Sequence, residues 1–253
     1  MAPLPDIIEA LDELLGAASF EDYGPNGLQV PGRPEVNRVV TGVTAHAELF
    51  ELAARESADL VLVHHGILWD SGPRTIDASL KRRLKLLLDH DMSLAAYHLP
   101  LDAHPQVGNN ALIAERLGCQ ERVPFGEHRG QALGCQGSWT DGGVEAEVLL
   151  GRIEELTGRR PLVFACGPER VRSVGIVSGA GAQWLEEAIA KGLDAFLTGE
   201  PAERVMSQAR EAEIHFIAAG HYATETFGIR ALGEHLEARF GVRHSFIDVP
   251  NPI

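Results

Sequence analysis

Cysteine, positive charge and long apolar runs are all scarce in this chain of 253 residues. Its 3 cysteines, Cys119, Cys135 and Cys166, show no CxxC spacing, so neither a disulfide framework nor a zinc finger is expected. That pattern fits a reducing compartment. Lys and Arg number 22 against 36 Asp and Glu, a formal net charge of −14. A nucleic-acid backbone is therefore not the expected partner. No apolar run reaches the roughly 18 residues that a membrane helix needs. Residues 1–18 thread Asp6, Glu9, Asp12 and Glu13 through their apolar positions, unlike a signal peptide. The expectation is a soluble, cytoplasmic protein without internal repeats or low-complexity tracts.

Hydrophobic residues make up 45% of the chain, enough for one large core or two smaller ones. Leu4, Ile7, Ile8, Leu11, Leu14 and Leu15 follow the helical period up to Gly16. The segment Asp22-Tyr23-Gly24-Pro25-Asn26-Gly27 is rich in turn formers. Beyond it, strand patterns alternate with helix patterns. Strands are expected at 36–43, 60–63, 92–97, 131–139, 162–165, 171–177, 195–197, 214–218 and 242–249. Helices are expected at 47–56, 79–90, 108–117, 144–156, 183–190 and 224–240, with another opened by Pro201. Such alternation predicts an α/β fold with layered mixed sheets covered on both sides. A polar stretch at 120–130 suggests a boundary. Two interleaved lobes are expected, one of residues 1–125 with 218–253 and the other of 126–217.

The chain is organised around Leu60-Val61-Leu62-Val63-His64-His65-Gly66. Four apolar residues read as a buried strand. Neighbouring side chains of a regular strand point to opposite faces, so two imidazoles share one cleft only where the strand is turning, as Gly66 would permit. The pair suggests two neighbouring metal ions, one ring for each. It is equally readable as two polar residues leaving a sheet. Ligands of open α/β sheets gather at the carboxyl ends of strands, and two further strand ends carry metal-competent residues. One offers His98, then Asp102 and His104 in a stretch that Pro100 and Pro105 should keep irregular. The other offers His221 and Glu225, four apart and so on one face of a helix, where the dipole favours Glu225. Imidazoles and carboxylates without a thiolate suit Fe, Mn, Ni, Co or Zn. Paired ions of this kind do hydrolytic chemistry.

Blander roles are expected elsewhere. His46 and His104 read as solvated loop residues rather than extra ligands or pocket acids, and His90, His128, His215, His235 and His244 as structural or surface residues. Ser178-Gly179-Ala180-Gly181 is a tight turn or a phosphate cradle. Glu200 either lines the cleft or caps the following helix. Lys81, Arg82, Arg83 and Lys85 form a solvated helix face or a subunit contact.

The runs Val63-His64-His65-Gly66, Tyr97-His98-Leu99-Pro100-Leu101-Asp102-Ala103-His104 and Gly220-His221-Tyr222-Ala223-Thr224-Glu225 carry a resemblance. Leu197-Thr198-Gly199-Glu200, Asn26-Gly27-Leu28-Gln29-Val30 and Ile247-Asp248-Val249-Pro250-Asn251-Pro252 add to it. Together they resemble the Nif-three-like family, catalogued as GTP cyclohydrolase I type 2 homologues, in its short bacterial YbgI-like branch. The resemblance spans nearly the whole chain. It implies a dinuclear metal cleft within a toroidal homohexamer. His64 and His221 would serve one divalent ion, His65 and Asp102 the other, and Glu225 would bridge them. His98 would either support a ligand from behind or carry out proton transfer. Tyr222 departs from a histidine common in relatives. The expected function is a metal-dependent hydrolase using a metal-activated water on a nucleotide or cyclic amide. Its rival is a non-catalytic metal-carrying or metal-sensing ring that serves protein partners.

Overall fold

The structure is a computed structural model that describes residues 1–72 and 74–253. It is a mixed α/β fold whose chain divides into two compact units, Met1–Leu101 with Gly228–Val249 and Asp102–Phe227 with Pro250–Ile253. Among the described residues, no helix is long and apolar enough to cross a membrane.

The first unit is built on a five-stranded sheet in the order Arg243–Phe246, Arg38–Thr44, Leu60–His65, Ser93–Ala96, Gly27–Val30. The first three pairings are parallel and the last is antiparallel. Leu60, Val61, Leu62 and Val63 are all fully buried, as a strand covered on both faces requires. Helices Ala47–Arg55 and Ala78–Asp89 cover one face. Leu49, Phe50 and Leu87 from these helices join Val40, Val61, Val63 and Leu94 in one core. The first helix, Leu4–Leu15, buries Leu4, Ile7, Leu11 and Leu15 and closes on Gly16 at φ 58°, a left-handed stop that glycine accepts without strain. Asp77 opens the basic helix by accepting from Leu80 N at 2.7 Å. Its Arg82 and Lys85 pair with Glu51 and Asp89 at the surface, a solvated face.

The second unit carries a six-stranded mixed sheet in the order Leu162–Phe164, His215–Ala218, Ala195–Thr198, Ser173–Val177, Gln131–Ser138, Glu121–His128. The three central strands run parallel and the outer pairings are antiparallel. Period-two alternation feeds two cores. Val174, Ile176, Leu197 and Ile217 pack with Ile113, Leu149 and Ile153 of helices Asn109–Arg116 and Ala146–Thr157. Phe196 and Phe216 pack with Phe125, Leu185 and Val205 on the opposite face. The polar stretch 120–130 folds as the edge strand Glu121–His128, hairpin-paired with its neighbour. Pro201 does not open a helix, because the next one begins four residues later, at Val205. Burial pushes the Cys119 and Cys135 thiols up to about 12 and about 11, so both are inert at neutral pH.

Candidate functional site

In the first unit the buried strand does not end before the histidines. It runs from Leu60 through His65 and pairs with Thr44 to its last residue, whereas its pairing on the other side stops at Val63 with Ala96. With one neighbour gone, the rings of His64 and His65 close to 4.6 Å between centroids despite their opposite register. Gly66 serves a purpose other than the expected turn. A Cβ there would lie 2.3 Å from the Gln29 amide, and that amide accepts from Ile67 N at 2.9 Å. His98, just beyond the neighbouring strand Ser93–Ala96, brings its ring to 5.1 Å from His64 and 5.5 Å from His65. One ligand nitrogen from each of the three lies within 4.8 Å of the others, a spacing that can hold a metal ion. Trp69 stands edge-on to His98 at 5.2 Å, its indole N–H donating to Gly66 O.

The hydrogen bonds at each Nδ1 decide what these rings offer. His64 Nδ1 lies 2.9 Å from the Tyr97 carbonyl, which only accepts, so Nδ1 carries the proton and Nε2 the lone pair. His65 Nδ1 meets Thr44 Oγ1 at 3.2 Å. His98 Nδ1 meets Asp22 Oδ1 at 2.7 Å. Burial alone would raise the Asp22 carboxyl. Hydrogen bonding and charge attraction from His98, with donation from Asn26 and the Tyr23 amide, outweigh burial and hold it at about 2. Asp22 is a site residue that the sequence reading passed over as part of a turn.

In the second unit, Glu200 follows the strand Ala195–Thr198 and Glu225 follows His215–Ala218 by one helical turn. His221 Nε2 lies 3.1 Å from Glu225 Oε2, and its Nδ1 lies 2.5 Å from Glu200 Oε1. Burial would lower this imidazole, but Glu225 and then Glu200 outweigh it and raise it to about 9. The two residues do not lie on one long helix as expected. A single turn, His221–Thr224, ends at Glu225 with φ −112° before Thr226–Phe240 begins. Asp102 is likewise not in an irregular loop. It is buried in the short helix Leu99–Ala103, which tolerates Pro100 because first-turn amides have no intrahelical partner. Asn109 Nδ2 and Ser178 Oγ both donate to Asp102 Oδ1, at 2.8 and 3.0 Å. Oxygens of Asp102 and Glu225 lie within 4.8 Å of each other.

Glycines make this crowding feasible. Gly179 sits at φ 62°, and a Cβ on it would fall 2.2 Å from Glu225 Oε1 and 3.2 Å from His221 Nε2. Its carbonyl accepts from the Gly199 and Glu200 amides at 2.9 and 3.0 Å. Its amide donates to Thr224 Oγ1, while the Ser178 and Gly181 amides donate to Asn110 and Thr198. Those amides are spent within the protein, which supports the tight turn at 178–181 over the phosphate cradle. Glu200 orients His221, and Tyr222 anchors the chain end through its amide, which donates to Ile253 O. His46 caps helix Ala47–Arg55, and His104 Nδ1 accepts from the Gln106 and Val107 amides. Both belong to local turns.

A family model described as Duf34/NIF3 (NGG1p interacting factor 3) matches residues 2–252. The chain is 44% identical over 249 residues to a Pseudomonas aeruginosa protein named GTP cyclohydrolase 1 type 2 homolog, with 98% of each chain covered. It is 42% identical over 254 residues to an Escherichia coli protein of the same name, again with 98% of each covered. Among solved structures, a protein titled ybgI, of unknown function, superposes over 100% of both chains at TM-score 0.94 and 42% identity. TTHA1606 from Thermus thermophilus does so over 100% of both chains at 0.91 and 38%.

Proposed function

Because this chain belongs to the Duf34/NIF3 family, we propose that it is a metal-dependent hydrolase holding two divalent transition-metal ions, Fe, Mn, Ni, Co or Zn. Its ligands in this reading are His64, His65, Asp102, His221 and Glu225. The observation that carries the proposal is the treatment of the imidazoles. His64, His98 and His221 have Nδ1 against an acceptor, Tyr97 O, Asp22 or Glu200, the arrangement that fixes Nε2 for a metal or a proton. The donor set also fits, since imidazole and carboxylate without thiolate favour these cations. Two such ions, when bound, supply Lewis acidity and lower the pKa of water.

The protein's own residues supply the rest. Asn109 and Ser178 orient Asp102. Gly179 leaves the Glu225 carboxylate its space. His98 takes or gives a proton at Nε2. The substrate class we propose is a nucleotide or cyclic amide, and the assembly a cytoplasmic homohexamer. The decisive experiment is elemental analysis of the His64→Ala, His65→Ala double variant, with circular dichroism as the control for folding. The wild-type chain should carry about two ions and the folded variant should lose them. Unchanged metal content in the variant ends the proposal.

A second reading, a non-catalytic metal-carrying or metal-sensing ring, is favoured by one observation. Asp22, Asn109, Ser178 and Glu200 each hold another side chain, which leaves His98 Nε2 as the group proposed to turn over a substrate. Screening the metal-loaded chain and its His98→Ala variant against nucleotides and cyclic amides separates the two. Turnover abolished in the variant supports the hydrolase, and silence across substrates supports the ring.

A further inference from the structure

We propose that Asp22 is a positioning residue that commits His98 to a single tautomer, with the proton on Nδ1 and the lone pair on Nε2. The inference rests on the role given above to His98 and deepens it.

The Asp22 side chain is 2% exposed and receives three amide donors besides its contact with His98. Oδ1 accepts from Tyr23 N at 2.6 Å and lies 2.7 Å from His98 Nδ1. Oδ2 accepts from Asn26 Nδ2 and Leu99 N, both at 2.9 Å. Amide donors on both oxygens stabilise the anion, and with the carboxyl held at about 2 the group is an ionised carboxylate, which has lone pairs on both oxygens and no proton to give. Facing such a group, His98 Nδ1 must be a donor whatever the charge on the ring. The backbone repeats the constraint, since His98 N donates to Asn26 Oδ1 at 2.8 Å. One loop, 22–26, thus grips His98 at its amide and at its ring. Trp69 stands edge-on to the same ring. Rotation and tautomer are both fixed, and Nε2 is the only nitrogen of His98 left to act on a substrate. His64 reaches the same tautomer through a neutral carbonyl. His98 has a buried anion instead, which also stabilises the ring when it is positively charged.

The test uses the full chain, metal-free and labelled with nitrogen-15 in histidine, in long-range proton–nitrogen correlation spectra at alkaline pH. Signals of His98 are identified by their loss in His98→Gln. The wild-type ring should show the Nδ1–H pattern. Asp22→Ala, folded by circular dichroism, should shift population towards the Nε2–H form, and Asp22→Asn, which keeps one acceptor oxygen, should recover part of the wild-type pattern. An Nε2–H ring in the wild-type chain overturns the proposal, as does an unchanged tautomer in folded Asp22→Ala. Should the alanine variant not fold, the wild-type and Asp22→Asn spectra decide: Nδ1–H in the first with mixed tautomers in the second supports the proposal, and Nε2–H in the first refutes it. A zinc titration separates the two levels. Zinc arriving at His98 Nε2 with the Nδ1–H pattern intact removes the proton-transfer role of His98 and leaves the tautomer assignment standing.

Discussion

The two units arm themselves differently. The first gathers three imidazoles, His64, His65 and His98, beside Trp69. The carboxylate of Asp22 is consumed in holding a ring. The second gathers three carboxylates, Asp102, Glu200 and Glu225, with one imidazole. Neutral donors crowd at little electrostatic cost, so the first cluster needs only shape and an acceptor behind each ring. Like charges at close range repel. The second cluster answers with the hydrogen-bond donors Asn109 and Ser178 and with His221, raised between Glu225 and Glu200. Room for it comes from glycines where any side chain would collide. The imidazole cluster is thus a product of strand geometry, and the carboxylate cluster a product of its supports.

Gly179→Ala tests that contrast most severely. A methyl 2.2 Å from Glu225 Oε1, at a positive φ, should cost on the order of 3 kcal/mol, read as a lowered thermal midpoint. Gly66→Ala collides only with the flexible end of Gln29 and should cost clearly less. Equal losses would erase the distinction. Asp22→Asn comes next. Its carboxyl sits at about 2 against an ordinary 3.8, so it contributes stability that is fully present above about pH 4 and lost as pH falls towards 2. The gap in unfolding free energy between wild type and variant should shrink by about 2 kcal/mol across that window. Denaturant titrations at pH 5 and pH 2 measure it, and a constant gap would show that the anion adds nothing. Glu200→Gln is the mildest change. With His221 less firmly oriented, affinity for a divalent ion should fall about tenfold in chelator competition, with the fold intact. Unaltered affinity would make Glu200 a bystander.

The sequence showed the imidazole cluster more readily than its supports. His64 and His65 end an apolar run too regular to be anything but a buried strand, and the alternation of patterns gave the mixed sheets. Asp22 escaped because its partner, His98, lies 76 residues away and Asp in a Gly- and Pro-rich segment reads as a turn former. Asp102 was expected in a loop because proline statistics mark helix breaks, whereas Pro100 lies in a first turn where its missing N–H is harmless. The break at Glu225 between two helices was missed because the helical pattern was read from residue 224, one residue before it. Gly66 was correctly marked for attention, but its reason, the nearby Gln29 amide, lies in the tertiary packing.

The indole beside His98 has a practical consequence. Of the 3 tryptophans, Trp139 and Trp184 belong to the second unit and Trp69 to the first, where it flanks the imidazoles, 5.2 Å from His98 and 6.0 Å from His65. Its emission is an optical reporter already installed in the native chain. A change in charge or occupancy at either ring will be visible in a fluorimeter without a dye, a label or any knowledge of the substrate.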